Sequence, residues 1–152
     1  ALFIMNRIAA YRKLFNATSF TDLATLKTTY RSLIKEWHPD KIVDDEARKE
    51  EAEIKSKRII EAYHFLVGIS KETHEQNTEE YTRIINGLHI EDFDYKGTTL
   101  KITFPEGIVY EYYGVPKSIY AKMVNTPTIT RFARRHVYNS FVYRNISKSV
   151  NV

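Results

Sequence analysis

The 152-residue chain is predicted to be α+β, with an N-terminal antiparallel helical hairpin and a small C-terminal antiparallel sheet with helices. Three observations carry this. Apolar residues recur at three- and four-residue spacing as far as Leu66, then at every second residue from Leu100; the two periods belong to helix and strand. Residues 1–87 hold 14 Lys/Arg and 14 Asp/Glu, whereas residues 88–152 hold 9 and 5, so the second half supplies the whole net charge of +4. A length of 152 residues suits one ordinary domain or two small ones.

The elements follow in order. A short helix is expected near Arg7–Phe15. From Leu23, the residues Leu26, Tyr30, Leu33, Ile34 and Trp37 form one apolar stripe, with Thr21 or Asp22 as N-cap. Pro39 ends this helix, because the residue before a proline is pushed out of the α region. A second long helix is predicted from Asp45 to Leu66. Asp44, Asp45 and Glu46 give it the acidic start that the helix dipole favours, and Ile59, Ala62, Tyr63 and Leu66 share its apolar face. The two should pack as a hairpin. Gly68 reads as the close of this unit and the polar stretch Ser70–Thr78 as a linker, with a short helix over Thr78–Asn86.

Strands are expected at Ile90–Tyr95, Leu100–Phe104 and Ile108–Tyr113, with turns at Lys96-Gly97 and Pro105-Glu106-Gly107. Pro116 suits the first turn of a helix reaching Val124. A last helix follows Thr130, with Phe132, Ala133, His136, Val137, Ser140 and Phe141 facing inward. The expected organisation is a helical module over 5–69, a linker over 70–87 and a small α+β module over 88–152.

Several classes of function are excluded. The chain has no cysteine, which removes disulfides, Cys-liganded zinc, iron–sulfur clusters and Cys nucleophiles. No apolar run approaches the roughly 20 residues of a membrane helix. The apolar opening Ala1–Met5 is too short and lacks the charged lead of a signal peptide; Met5 is a natural candidate for a start. No Gly-rich phosphate loop, Ser-His-Asp set or metal-ligand spacing is visible. The chain is therefore expected to be a non-enzymatic, cytoplasmic protein without cofactor.

The most specific motif is His38-Pro39-Asp40, in the loop between the two long helices. Tyr30 lies eight residues before His38, and Ile59-x-x-Ala62-Tyr63-x-x-Leu66 lies on the partner helix. With this placement the segment Ile8–Ile69 resembles the J-domain of DnaJ-type co-chaperones. The resemblance implies that the loop and the basic face of the preceding helix bind a DnaK-type ATPase chaperone and stimulate its ATP hydrolysis. In that role Asp40 forms a charge-assisted bond with an arginine of the partner, Pro39 holds the turn and His38 hydrogen-bonds at the contact. Lys27, Arg31 and Lys35 stand at i, i+4 and i+8, one row opposite the apolar stripe; with Lys41 they complete the expected docking surface. Ser32 and Glu36 stand where the family often has Lys or Arg, which thins that surface. Phe15-Asn16 replaces the commoner Gly-Val, and Ser56 a packing Phe. Without the family context, His-Pro-Asp reads as a helix-ending turn, the basic row as a solvated face, and His38 with Asp40 as a pair of metal ligands. The other histidines (His64, His74, His89 and His136) add no ligand spacing to that pair.

The segment Ile90–Tyr143 resembles the KTSC domain, a short module found alone or at the C-terminus of some lysyl-tRNA synthetases. The resemblance rests on Leu100-x-Ile102-x-Phe104, Gly107-x-x-Tyr110-Glu111-Tyr112, Val115-Pro116 and Phe132; Thr128-x-Thr130 departs from the family's commoner Ser-x-Gly. No acid follows Glu111, while Lys117, Lys122, Arg131, Arg134, Arg135, Arg144 and Lys148 do. Tyr110 and Tyr112 share one strand face, and Arg131, Arg134, Arg135 and Tyr138 neighbour one another on a helix. Aromatic platforms beside a basic stripe suit RNA or single-stranded DNA. Tyr110 and Tyr112 also share their face with Ile108, so packing of a small core is the competing reading.

Two functions from different classes follow. The first is a co-chaperone whose C-terminal module targets a client or nucleoprotein. The second is an RNA- or DNA-binding protein with a structural J-like half. The client and the oligomeric state are not written in the sequence.

Overall fold

The computed structural model describes residues 2–147, with side chains from Arg7 onward. Ala1, in the apolar opening, and Lys148, in the basic run, lie outside the described residues. Among the described residues the helices are α1 (Leu2–Leu14), α2 (Leu23–Trp37), α3 (Glu46–Ile69), α4 (Lys71–Gln76), α5 (Thr78–Gly87), α6 (Lys117–Asn125) and α7 (Ile129–His136). The strands are β1 (Asp92–Lys96), β2 (Thr99–Thr103), β3 (Val109–Tyr113) and β4 (Val142–Asn145). The fold is α+β, with a helical hairpin in the N-terminal half and a four-stranded antiparallel sheet of order β1-β2-β3-β4 in the C-terminal half. No helix among the described residues is long and apolar enough to cross a membrane.

Helix α1 ends in a left-handed cap. Asn16 has φ 50°, Ala17 N–H donates to Arg12 at 2.8 Å, and Asn16 N–H donates to Lys13 at 3.1 Å. These two bonds are a Schellman closure with Asn in the place that usually takes Gly. The unusual Phe15-Asn16 therefore has two jobs: Asn16 turns the chain and Phe15, 2% exposed, enters the core. That core joins Tyr11, Phe15, Leu26, Ile59, Tyr63 and Leu66. Tyr30 stacks on Tyr63 at 4.2 Å and fastens α2 to α3. Ser56, which stands where the J-domain family has a packing Phe, is 9% exposed and returns its hydroxyl to Glu53 O at 3.1 Å.

Three expectations need correction in this half and at its end. Gly68 does not close the helix; α3 runs through it to Ile69, and Ser70 caps the end with its N–H on Val67 O. The stretch Ser70–Thr78 is not a free linker, because Lys71–Gln76 is helical. Nor does the linker extend to residue 87, since α5 buries Tyr81, Ile84 and Ile85 in the core of the sheet module. The short polar α4 lacked a readable period because neighbours on other elements, not its own stripe, hold it in place.

In the sheet, Phe93, Tyr95, Leu100, Ile102, Tyr110, Tyr112 and Tyr143 point to the side covered by α5, α6 and α7. The opposite face carries a cross-strand row Asp94–Lys101–Glu111–Arg144 of alternating sign. Opposite charges set directly across antiparallel strands help fix the register. The β2–β3 connection places Glu106 and Gly107 at φ 69° and 72° and closes with Phe104 N–H on Ile108 O at 2.8 Å. The last segment differs from expectation. Helix α7 stops at His136, with His136 and Ser140 exposed, and Val142–Asn145 forms a fourth strand against β3. Val137 and Tyr138 are fully buried just beyond the helix.

Candidate functional site

Helix α2 is fixed at both ends before it presents anything. Its N-cap Asp22 accepts from Thr25 N–H at 2.7 Å. Hydrogen bonds from the Thr25 side chain and then its backbone hold this carboxyl below the usual carboxylate range. Leu23 N–H, another orphan donor of the first turn, donates to Glu72 Oε1 of α4 at 2.9 Å. Nothing local to Glu72 announces this role, because it lies in the stretch without periodicity. At the other end, Lys55 Nζ stands 4.2 Å from the centre of the Trp37 ring, a contact worth about 0.5–1 kcal/mol where it is exposed.

Beyond Trp37 the chain turns. His38 is extended (φ −65°, ψ 125°), as a residue before proline must be, and Pro39–Lys41 make one turn of 3₁₀ helix. His38 caps this turn: its Nδ1 accepts from Asp40 N–H at 3.2 Å, and its carbonyl accepts from Lys41 N–H at 3.1 Å. The same Nδ1 lies 3.6 Å from Asp40 Oδ2. The two contacts exclude each other, because an ion pair needs a proton on the nitrogen that the backbone contact uses as acceptor. The backbone contact is the shorter of the two. The Asp40 side chain is 89% exposed and that of His38 50% exposed. The capping contact thus uses one nitrogen of His38, and Asp40 offers an open carboxylate.

Lys27, Arg31 and Lys35 are exposed on one side of α2, and Lys41 is exposed in the turn that follows the helix. None of the four forms a salt bridge among the described residues. The structure therefore brings together an open carboxylate, an imidazole and a row of three cations, set on a helix whose other side is packed on α3. The arrangement can recognise an acidic surface containing an arginine.

The C-terminal candidates fare differently. Tyr110 is 3% exposed, and Tyr112 and Tyr138 are fully buried. Tyr81 Oη lies 2.9 Å from Tyr112 Oη and donates to Tyr138 O at 2.7 Å. Burial pushes the Tyr110 phenol up to about 12 and raises those of Tyr112 and Tyr138 as well. These rings form the sheet core and present no face on which a base can stack, which corrects their reading as platforms. For Tyr110 and Tyr112 the physical reason is the strand period: the face they share with Ile108 is the face that the helices cover. Arg134 is also occupied. Its Nε donates to Ile85 O at 3.0 Å and its Nη2 to Asn86 O at 3.3 Å, capping the last carbonyls of α5. Arg131 and Arg135 remain exposed.

A second group of residues, which the sequence did not single out, joins the two halves. Gly68 of α3 faces Arg144 of β4 so closely that a Cβ there would lie 2.5 Å from Arg144 Cδ. The Arg144 guanidinium stands 4.7 Å from the centre of the Phe65 ring, and Arg7 stands 4.6 Å from the same ring. Arg144 Nε donates to Tyr113 Oη at 3.0 Å, and Nη2 reaches Glu111 Oε1 at 3.4 Å. His74 of α4 stacks on Tyr143 at 4.0 Å, with its Nε2 2.9 Å from Tyr143 O. The only local sign of this group was a lone Gly inside a helical pattern.

Comparison with known proteins agrees with the division seen in the structure. Residues 87–141 match the KTSC domain family. The chain is 31% identical over 108 residues to mouse "DnaJ homolog subfamily B member 8", a match covering 70% of this chain and 46% of that protein. The chain thus spans about half the length of the curated relative it matches. No solved structure matches it. Together with the hairpin, the loop and the sheet, these matches support a J-domain plus KTSC architecture, the first in the N-terminal half and the second in the C-terminal half.

Proposed function

We propose that this chain is a non-enzymatic, cytoplasmic co-chaperone that binds a DnaK-type ATPase and stimulates its ATP hydrolysis through the His38-Pro39-Asp40 loop, while the C-terminal module engages a client. The observation that carries this is the open Asp40 carboxylate at the end of a helix displaying the Lys27, Arg31 and Lys35 row. The cations steer the domain toward an acidic surface, raising the encounter rate in a salt-dependent way. Asp40 then forms a charge-assisted bond with an arginine of the partner. Stimulation requires that the loop bind one conformation of the ATPase better than another, because a ligand of equal affinity for both shifts nothing.

Single-turnover ATP hydrolysis by a DnaK-type chaperone tests the reading. Wild type should accelerate turnover, and His38→Gln and Asp40→Asn should each remove most of the acceleration while circular dichroism stays unchanged. Stimulation that is absent in wild type, or that survives both substitutions, sinks it.

A further inference from the structure

We infer that the two modules are fastened as one rigid body, with Arg144 as the fastener, so that anything the C-terminal module carries is held at a fixed position relative to the His-Pro-Asp loop; the second half of this statement rests on the co-chaperone reading. Relative motion is the ordinary expectation for two small modules in one chain. Here three independent features oppose it.

The connection has no slack. Ser70 alone separates α3 from α4, and Asn77 alone separates α4 from α5. Helix α4 is tied on both sides, by Glu72 to the first turn of α2 and by His74 to Tyr143 of β4. The cores are also not separate. Tyr113 of β3 is 3% exposed because it belongs to the helical core, its ring 5.1 Å from that of Phe65.

Arg144 fills the remaining contact with every part of its side chain. The stem lies against Gly68, the one backbone position on α3 that leaves room for it. The guanidinium covers Phe65, and its N–H groups are bonded to Tyr113 and Glu111, side chains of its own module. Arg144 is thus oriented by the C-terminal module and packs on the J-domain, as a fastener must. A flexible tether would give the C-terminal module only a high effective concentration near the loop, whereas this junction sets its direction too.

Residual dipolar couplings and ¹⁵N relaxation on the full chain test the inference without a chaperone. One alignment tensor should fit amides of both modules, with a common tumbling time. Two tensors, or tumbling times that differ between the modules, overturn it. In the Arg144→Ala, His74→Ala double variant the junction should loosen, so that one tensor no longer fits both modules and their tumbling times differ. If both modules of the variant stay folded and tumble together as before, Arg144 is not the fastener. If the variant loses its sheet, the wild-type couplings still decide. Failure of wild type to stimulate the ATPase removes the co-chaperone reading but leaves the tumbling result standing.

Discussion

Gly68 poses a question of sign that a single substitution answers. In an exposed helix interior, Gly→Ala gains about 1 kcal/mol from backbone entropy and propensity. At Gly68 the new Cβ meets Arg144 Cγ and Cδ at 2.6 and 2.5 Å, so the arginine must leave Phe65, Tyr113 and Glu111. A partly buried charge that loses its partners costs more than the helix gains. Gly68→Ala is therefore expected to lower the urea midpoint. A raised midpoint means that the arginine moves aside at no cost. The tyrosine cluster supplies a matched pair. Tyr138 Oη is buried with no hydrogen-bond partner among the described residues, so Tyr138→Phe should leave stability unchanged or raise it by about 1 kcal/mol. Tyr81 Oη makes two buried bonds, so Tyr81→Phe should cost about 1–3 kcal/mol by stranding their partners. Denaturation curves of the two variants give the comparison directly.

Among the elements, α2 and α7 both carry basic rows, and their neighbours give the rows different meanings. On α2 the cations are exposed and the opposite face does the packing. Reversing Lys27, Arg31 and Lys35 to Glu should leave the fold intact and slow association with a DnaK-type chaperone by tenfold or more, on the order of what steering contributes at low salt. The same variant should lose most of the salt dependence of binding, which stopped-flow measurements would read. On α7, Arg134 caps α5, so Arg134→Glu should destabilise the sheet module whatever it binds. Any loss of function in that variant has to be read against its melting temperature. Helix α4 is the element least legible in the sequence. It has no apolar period, and a polar stretch between two patterned segments reads as a linker. Its order comes from Glu72 and His74, whose partners lie 49 and 69 residues away in sequence. Strand β4 escaped notice for a similar reason: its four residues do not alternate cleanly, and pairing with β3 is what makes them a strand.

For the whole molecule, the junction also sets an acid sensitivity. Burial is the larger influence on His74 and lowers its pKa below the ordinary value, although bonds to the Tyr143 and Gly68 carbonyls partly oppose it. The folded chain therefore takes up this proton less readily than the unfolded one. His74 contributes fully above its unfolded pKa of about 6.5, and that contribution is lost as pH falls from there through the lower folded value. Wild type should lose more stability between pH 7.5 and 5.5 than His74→Gln, as measured by urea denaturation at each pH. An equal loss in the two proteins would place the sensitivity elsewhere. Asp22 acts in a separate window: its carboxyl is held low in the folded state, so its contribution persists above its unfolded value and fades only in stronger acid.

The two long helices, the first three strands, the His38-Pro39-Asp40 loop, the spacing of the basic row and the two-module plan were decided locally, by helical and strand periods, a proline and a charge count, and so could be read from the residues alone. Burial of Tyr110, Tyr112 and Tyr138, capping by Arg134 and Glu72, and the fit of Arg144 against Gly68 depend on residues brought together from distant parts of the chain. A tyrosine in a strand or an arginine on a helix has the same local pattern whether its face is covered or open. Only the tertiary structure decides which face is covered, and here it covered the tyrosines and left the loop exposed.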